Sequence, residues 1–237
     1  MPWVAGVDAC RAGWFVMMRQ VRSGRVVCSV VPSFDALLSI DERPSIIAID
    51  MPIGLLEQAV PGGRECDRQA RGLLGAPRAT SVFSPPVRQA LRAATYGDAC
   101  SINAACSACG LRLAKQCFGL FPKLREVDER MTPDRQEVIR EAHPELCFYE
   151  LNGCQSIRDG KKTRQGLKQR RGLLSKAGLL GTAALSAALS FRGVRVDDVL
   201  DAWVLSWTAE RILRRKAVCV PRQPPLDSKG LRMEIWR

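Results

Sequence analysis

Apolar and polar positions in the first fifty residues fall into short blocks separated by turn residues. Trp3 to Val7 is an apolar run ending on Asp8, Cys10 to Gly13 carries a turn, and Trp14 to Arg19 reads as a second strand. Ser23-Gly24 marks another turn, after which Val26 to Val31 is β-branched and strand-like. Ser33 is placed to cap a short helix running to Ile40, with Asp35 in its first turn. Ile46 to Ile49 is continuously apolar, as expected of a strand buried on both faces, and it too ends on an aspartate, Asp50. The predicted order is three hairpin-linked strands, a helix and a buried strand.

The character changes from Leu55 to Asp134. Segments rich in Ala, Leu, Arg and Gln alternate with breaks such as Pro61-Gly62-Gly63 and Ser84-Pro85-Pro86, predicting a mainly helical insertion. Gln136 to Ala142 reads as a short strand delivering His143-Pro144-Glu145. Residues 158–176 are basic and partly helical. Helices are predicted over Leu179 to Ser190 and Val199 to Arg215, the second started by Asp197-Asp198. The tail, with a Pro-rich piece from Pro221 to Pro225, is expected to pack over the surface. The whole reads as one domain over 1–237, with the insertion at about 55–134.

The acidic positions stand out against this pattern. Asp8 and Asp50 follow apolar runs, Glu145 follows a predicted strand, and Asp198 and Asp201 sit three apart, on one face of a helix. Such carboxylates suit a metal better than a core, because like charges brought together repel unless a cation neutralises them. Mg²⁺ or Mn²⁺ takes hard oxygen ligands of this kind, and two such ions can activate water and stabilise a leaving oxygen in phosphodiester cleavage. Taken singly, Asp198 also reads as a helix cap and Asp50 as a turn residue. A strand meander followed by a helix and a strand matches the core of the ribonuclease H fold, with Asp8 and Asp50 on the elements that carry its first two carboxylates.

Charge adds a partner. The net charge of +12 over 237 residues attracts polyanions. Eight basic residues lie between Arg158 and Lys176, among them Lys161, Lys162, Arg170 and Arg171, against the single acid Asp159. This stretch reads as a nucleic-acid-binding segment, the alternative being a solvated face. With one histidine, His143, three-histidine metal hydrolysis is excluded and no base is at hand for a Ser or Cys nucleophile. Cys106-x-x-Cys109, flanked by Cys100 and Cys117, has zinc-knuckle spacing. Its Ala-rich surroundings read instead as continuous helix with buried thiols. No apolar stretch is long enough to span a bilayer and no export signal is visible, so reduced cysteines, a cytoplasmic location and no membrane partner are expected.

Several stretches, in order, resemble the domain of unknown function 429. They are Gly6-Val7-Asp8 with Gly13-Trp14, Ile49-Asp50-Met51-Pro52-Ile53-Gly54-Leu55, Cys66-Asp67-Arg68-Gln69-Ala70-Arg71 and Ser81-Val82-Phe83-Ser84-Pro85-Pro86. The series continues with Lys123-Leu124-Arg125-Glu126-Val127-Asp128, His143-Pro144-Glu145-Leu146-Cys147-Phe148 and Asp198-Val199-Leu200-Asp201-Ala202. The resemblance implies a ribonuclease H-like fold and nuclease activity, and adds Arg68, Arg71 and Arg88 as phosphate-binding candidates, with helix-surface salt bridges as the other account of them. Ala9 replaces a usual glycine and Gly160 a usual serine. The pair Asp198/Asp201 also resembles the last acidic motif of Holliday-junction resolvases.

The expectation is therefore an α/β protein with a ribonuclease H-like mixed sheet and a helical insertion, acting as a metal-dependent nuclease. Asp8, Asp50, Glu145 and Asp201 would be catalytic, and Asp8, Asp50, Asp198 and Asp201 would hold Mg²⁺ or Mn²⁺. Lys161, Lys162, Arg170, Arg171, Arg68 and Arg71 would contact DNA or RNA. The alternatives are a non-catalytic nucleic-acid-binding protein of the same fold and an actin-like phosphotransferase, the latter suggested weakly by the Gly6-to-Gly13 loop.

Overall fold

The three leading apolar blocks form strands β1 (Trp3–Cys10), β2 (Gly13–Gln20) and β3 (Val26–Val31) in a computed structural model that describes residues 2–237. Helix α1 (Phe34–Leu38) follows, with the Ser33 hydroxyl accepting from the Ala36 N–H as the capping pattern requires. Strand β4 (Ile46–Ile49) is buried along its whole length, as its unbroken apolar sequence demands. The insertion is helical: α2 (Glu65–Leu74), α3 (Tyr96–Ala105), α4 (Lys115–Gly119), α5 (Phe121–Arg130) and α6 (Pro133–Gln136), with two short 3-10 turns. Then come β5 (Ile139–Glu141), α7 (Pro144–Leu151), α8 (Arg164–Lys176), α9 (Thr182–Leu189), α10 (Val196–Leu213) and a pair of two-residue strands, β6 (Cys219–Val220) and β7 (Ile235–Trp236).

The main sheet is mixed, in the order β3-β2-β1-β4-β5. β2 is antiparallel to both β1 and β3, whereas β1, β4 and β5 run parallel. Alternation along the strands decides what each face meets. Ala5, Val7, Ile47 and Ile49 pack with α1, the insertion and its helices α3 and α5. Val4, Phe15, Met17 and Ala48 pack with α7, α8 and α10. The result is a sheet covered by helices on both sides, an α/β architecture.

Four local expectations need correction. The helix expected across the cysteine group stops at Ala105, because a turn with Gly110 at φ +67° interrupts it. The strand expected over Gln136 to Ala142 is confined to Ile139–Glu141, because Gln136 belongs to α6, and Glu145 lies beyond it in the first turn of α7. α10 starts at Val196, three residues early, because the Asp198 carboxylate accepts from the Arg195 N–H and caps it. The tail contains strand structure, and Trp236 bridges to Ala142 beside β5, covering an edge that would otherwise be open. Among the described residues no helix is long and apolar enough to cross a membrane.

Candidate functional site

Strand register brings the first two carboxylates together. Val7 and Ile49 are partners in the parallel β1–β4 ladder, and the Asp50 N–H donates to the Val7 carbonyl at 3.0 Å. Asp8 and Asp50 therefore stand side by side at the carboxyl ends of adjacent strands. By the two-residue alternation they share a face with Val4, Gly6 and Ala48, the face on which α10 lies. α10 approaches so closely because position 6 is glycine: a β-carbon there would lie 2.0 Å from the Ala202 carbonyl oxygen. That contact sets Asp201 over the strand ends.

The electrostatics record the convergence. Burial pushes the Asp8 carboxyl well above the ordinary carboxylate range, and the neighbouring Asp50 and Asp201 push it further. Asp201 is 1% exposed, and burial raises it to about 6 even though Lys161 opposes the shift. Asp198, half-buried, is also raised by burial. The Lys161 ammonium lies 2.6 Å from the Asp201 carboxylate and is held in its charged form by Asp201 and then by Asp8 and Asp50.

Glu145 takes a different part from the one expected. Both its oxygens accept from the Arg170 guanidinium, at 2.6 and 2.8 Å, and the pair is buried. Arg170 is 0% exposed and stacks over Phe148, so it is an internal staple between α7 and α8 and presents no charge to nucleic acid. His143 caps α7, its Nδ1 accepting from the Glu145 N–H at 3.2 Å, with Nε2 facing the Ser81 carbonyl at 3.3 Å. Arg71 is held to the Val82 and Gly62 carbonyls, and Arg68, although exposed, reaches the Gly63 carbonyl. Arg88 is paired with Glu57, Asp128 and Asp227. The guanidiniums of Arg71 and Arg88 thus brace the insertion. Lys162 and Arg171 are exposed, as are Arg158, Arg164, Lys168 and Lys176. Arg158, Lys168 and Lys176 line a groove of about 550 Å³ along α8.

One group escaped the sequence reading. Arg64, 2% exposed, joins Asp67 (2.7 Å) to Glu141 (2.6 Å) and donates to the carbonyls of Ile53 and Gly54. Glu141 also accepts from the Ile53 N–H at 2.6 Å. Together they clamp the loop just after Asp50. Burial raises Glu141 to about 7 against the pull of Arg64. The sequence carries no local signal for it, since β5 reads Ile139-Arg140-Glu141 and lacks the unbroken apolar run that singled out Asp8 and Asp50.

The donor set fits a hard divalent cation in two respects. All its members are carboxylates, and four of them, Asp8, Asp50, Asp198 and Asp201, face a single ammonium, leaving negative charge in excess. Yet no three His, Cys, Asp or Glu side chains among the described residues are drawn together around one point. Asp201 gives its oxygen to Lys161 instead. A family model described as "Protein of unknown function (DUF429)" matches residues 6–226. No curated protein and no solved structure matches the chain.

Proposed function

This chain belongs to the DUF429 family, and on that footing we propose that it is a divalent-metal-dependent nuclease of ribonuclease H-like fold, hydrolysing phosphodiester bonds in nucleic acid. The observation that carries the reading is that Asp8 and Asp50 stand side by side on parallel strands beneath a crossing helix whose Asp201 lies close enough to raise the Asp8 carboxyl. The strand order β3-β2-β1-β4-β5, with β2 antiparallel and β4 and β5 parallel to β1, supports the fold assignment.

Asp8, Asp50 and Asp201 would hold Mg²⁺ or Mn²⁺, with Asp198 on the more open side. Bound there, the metal would supply an activated water and stabilise the leaving oxygen. The chain's own residues prepare the place. The Arg64 clamp fixes the loop after Asp50, and the Gly6 contact fixes Asp201. Glu145 acts through Arg170, which also donates to the Asp159 carbonyl at 3.1 Å and so steadies the loop bearing Lys161. Exposed cations on and before α8 provide a surface for the phosphate backbone.

A second reading, a non-catalytic nucleic-acid-binding protein, is favoured by the engagement of Asp201 with Lys161. A thermal-shift comparison separates the two, because a ligand that binds only the folded state raises its melting temperature. For the nuclease, Mn²⁺ raises the Tm of the native protein and not of Asp8→Asn. For the binder, short oligonucleotides raise Tm equally in both proteins, and Mn²⁺ raises neither.

A further inference from the structure

A lysine sits where the acidic cluster calls for a cation. Its ammonium is 2.6 Å from the buried Asp201 carboxylate and feels Asp8 and Asp50. This is not a surface side chain that has drifted onto an acid, because its backbone is braced from several directions. The Thr163 N–H and hydroxyl donate to the Gly160 carbonyl at 3.0 and 2.9 Å, and the Thr163 hydroxyl accepts from the Gly166 N–H to cap α8. Arg170 holds the Asp159 carbonyl. Gly166 presses against Gly160 so tightly that a β-carbon on Gly166 would lie 2.1 Å from the Gly160 oxygen. The start of α8 is thus built to deliver position 161 to the cluster.

Resting on the metal-site reading above, we propose that Lys161 is a resident counter-cation that competes with the divalent metal for Asp201. Three features support exchange over permanent occupation. One ammonium cannot balance four carboxylates, so the cluster keeps an affinity for further positive charge. The Lys161 side chain is 36% exposed, which gives it a path outward, whereas the Asp201 carboxylate it would leave is buried, at 1% exposed. A lysine is also a point charge on a flexible four-carbon stem, able to leave its acceptor without unfolding anything around it. No covalent change is involved: the ammonium departs with its protons as the metal takes up the Asp201 oxygen. The consequence is a protein stable without metal and loaded only when metal is abundant.

The test is calorimetric titration of Mn²⁺ into the full-length protein, comparing the native chain with Lys161→Met and Lys161→Arg. Lys161→Met is expected to bind Mn²⁺ at least tenfold more tightly, while Lys161→Arg, which keeps the charge, stays near the native affinity. The metal-free Lys161→Met protein should melt lower than the native one and gain more from Mn²⁺. If Lys161→Met does not fold, Lys161→Gln keeps a donor for Asp201 without the charge and should show the same tighter binding. Equal Mn²⁺ affinity in the native and uncharged variants overturns the competition and leaves the metal site standing. No Mn²⁺ binding by any of them overturns the metal site as well.

Discussion

Gly6 on β1 and Ala202 on α10 meet backbone to backbone, with only 2.0 Å between the Ala202 oxygen and the place where a Gly6 β-carbon would sit. The Ser206 N–H closes the same space at 2.4 Å. Neither neighbour is a side chain that could turn aside. Gly6→Ala is therefore expected to lift α10 from β1 and to cost about 3 kcal/mol or more, the upper end for overpacking in a close-packed interior. Because Asp201 rides on α10 and Asp8 on β1, any folded fraction should also bind Mn²⁺ more weakly. Chemical denaturation and metal titration check both.

The Glu145–Arg170 pair predicts an asymmetry. Arg170→Met leaves a buried carboxylate without its cation and should destabilise the fold by about 3–5 kcal/mol. Replacing both partners, as Arg170→Met with Glu145→Gln, should recover a large part of that loss. Equal losses in the single and double variants would show that the pair matters through packing over Phe148 and not through charge.

Acidity gives the third expectation. Asp201 has its folded pKa raised to about 6, above the ordinary aspartate value. A raised pKa means that the folded state holds its proton more tightly, so the contribution to stability is present at low pH and lost as pH rises through about 6. Lys161 is raised from an already high value and stays charged throughout, so it adds no slope there. Metal-free protein should show a stability term that falls between about pH 4 and pH 6, the interval between the ordinary aspartate value and the raised one, and Asp201→Asn should remove it. The Tm difference between the two proteins, followed across that range, is the measurement.

The salt dependence of nucleic-acid binding tests the basic surface. Lys162, Arg164, Lys168 and Arg171 are exposed and free to reach phosphates, unlike the internal Arg170. Neutralising the four together should flatten the slope of log affinity against log salt by about 3–4 on duplex, at roughly 0.9 per contact. An unchanged slope would return this stretch to being a solvated face.

Much of the frame could be read from the chain, because β1 to β4 are local patterns: each is an apolar block bounded by turn residues, and Ser33 announces α1. Asp8 and Asp50 could be picked out for the same reason, each being a charge at the end of an apolar run. The roles of Lys161, Arg170 and Arg64 were not legible, because each is set by a partner far along the chain: Asp201, Glu145 and Glu141. Composition placed Lys161 and Arg170 in one basic stretch, yet helix periodicity turns Arg170 inward and Arg171 outward. The break after Ala105 was missed because alanine and cysteine favour helix locally, while Gly110 dictates a turn.

The central claim, that Asp8, Asp50 and Asp201 form a metal site for phosphodiester hydrolysis, is tested most directly by cleavage of labelled nucleic acid. Single-stranded, duplex and branched DNA and RNA would be incubated with the native protein, Asp8→Asn and Asp50→Asn, each with Mg²⁺ or Mn²⁺ and with chelator. The account predicts cleavage of at least one substrate by the native protein with metal, none in chelator, and a loss of at least about a hundredfold in either variant, with the fold intact by circular dichroism. Cleavage that persists in chelator, or that both asparagine variants retain, would contradict it.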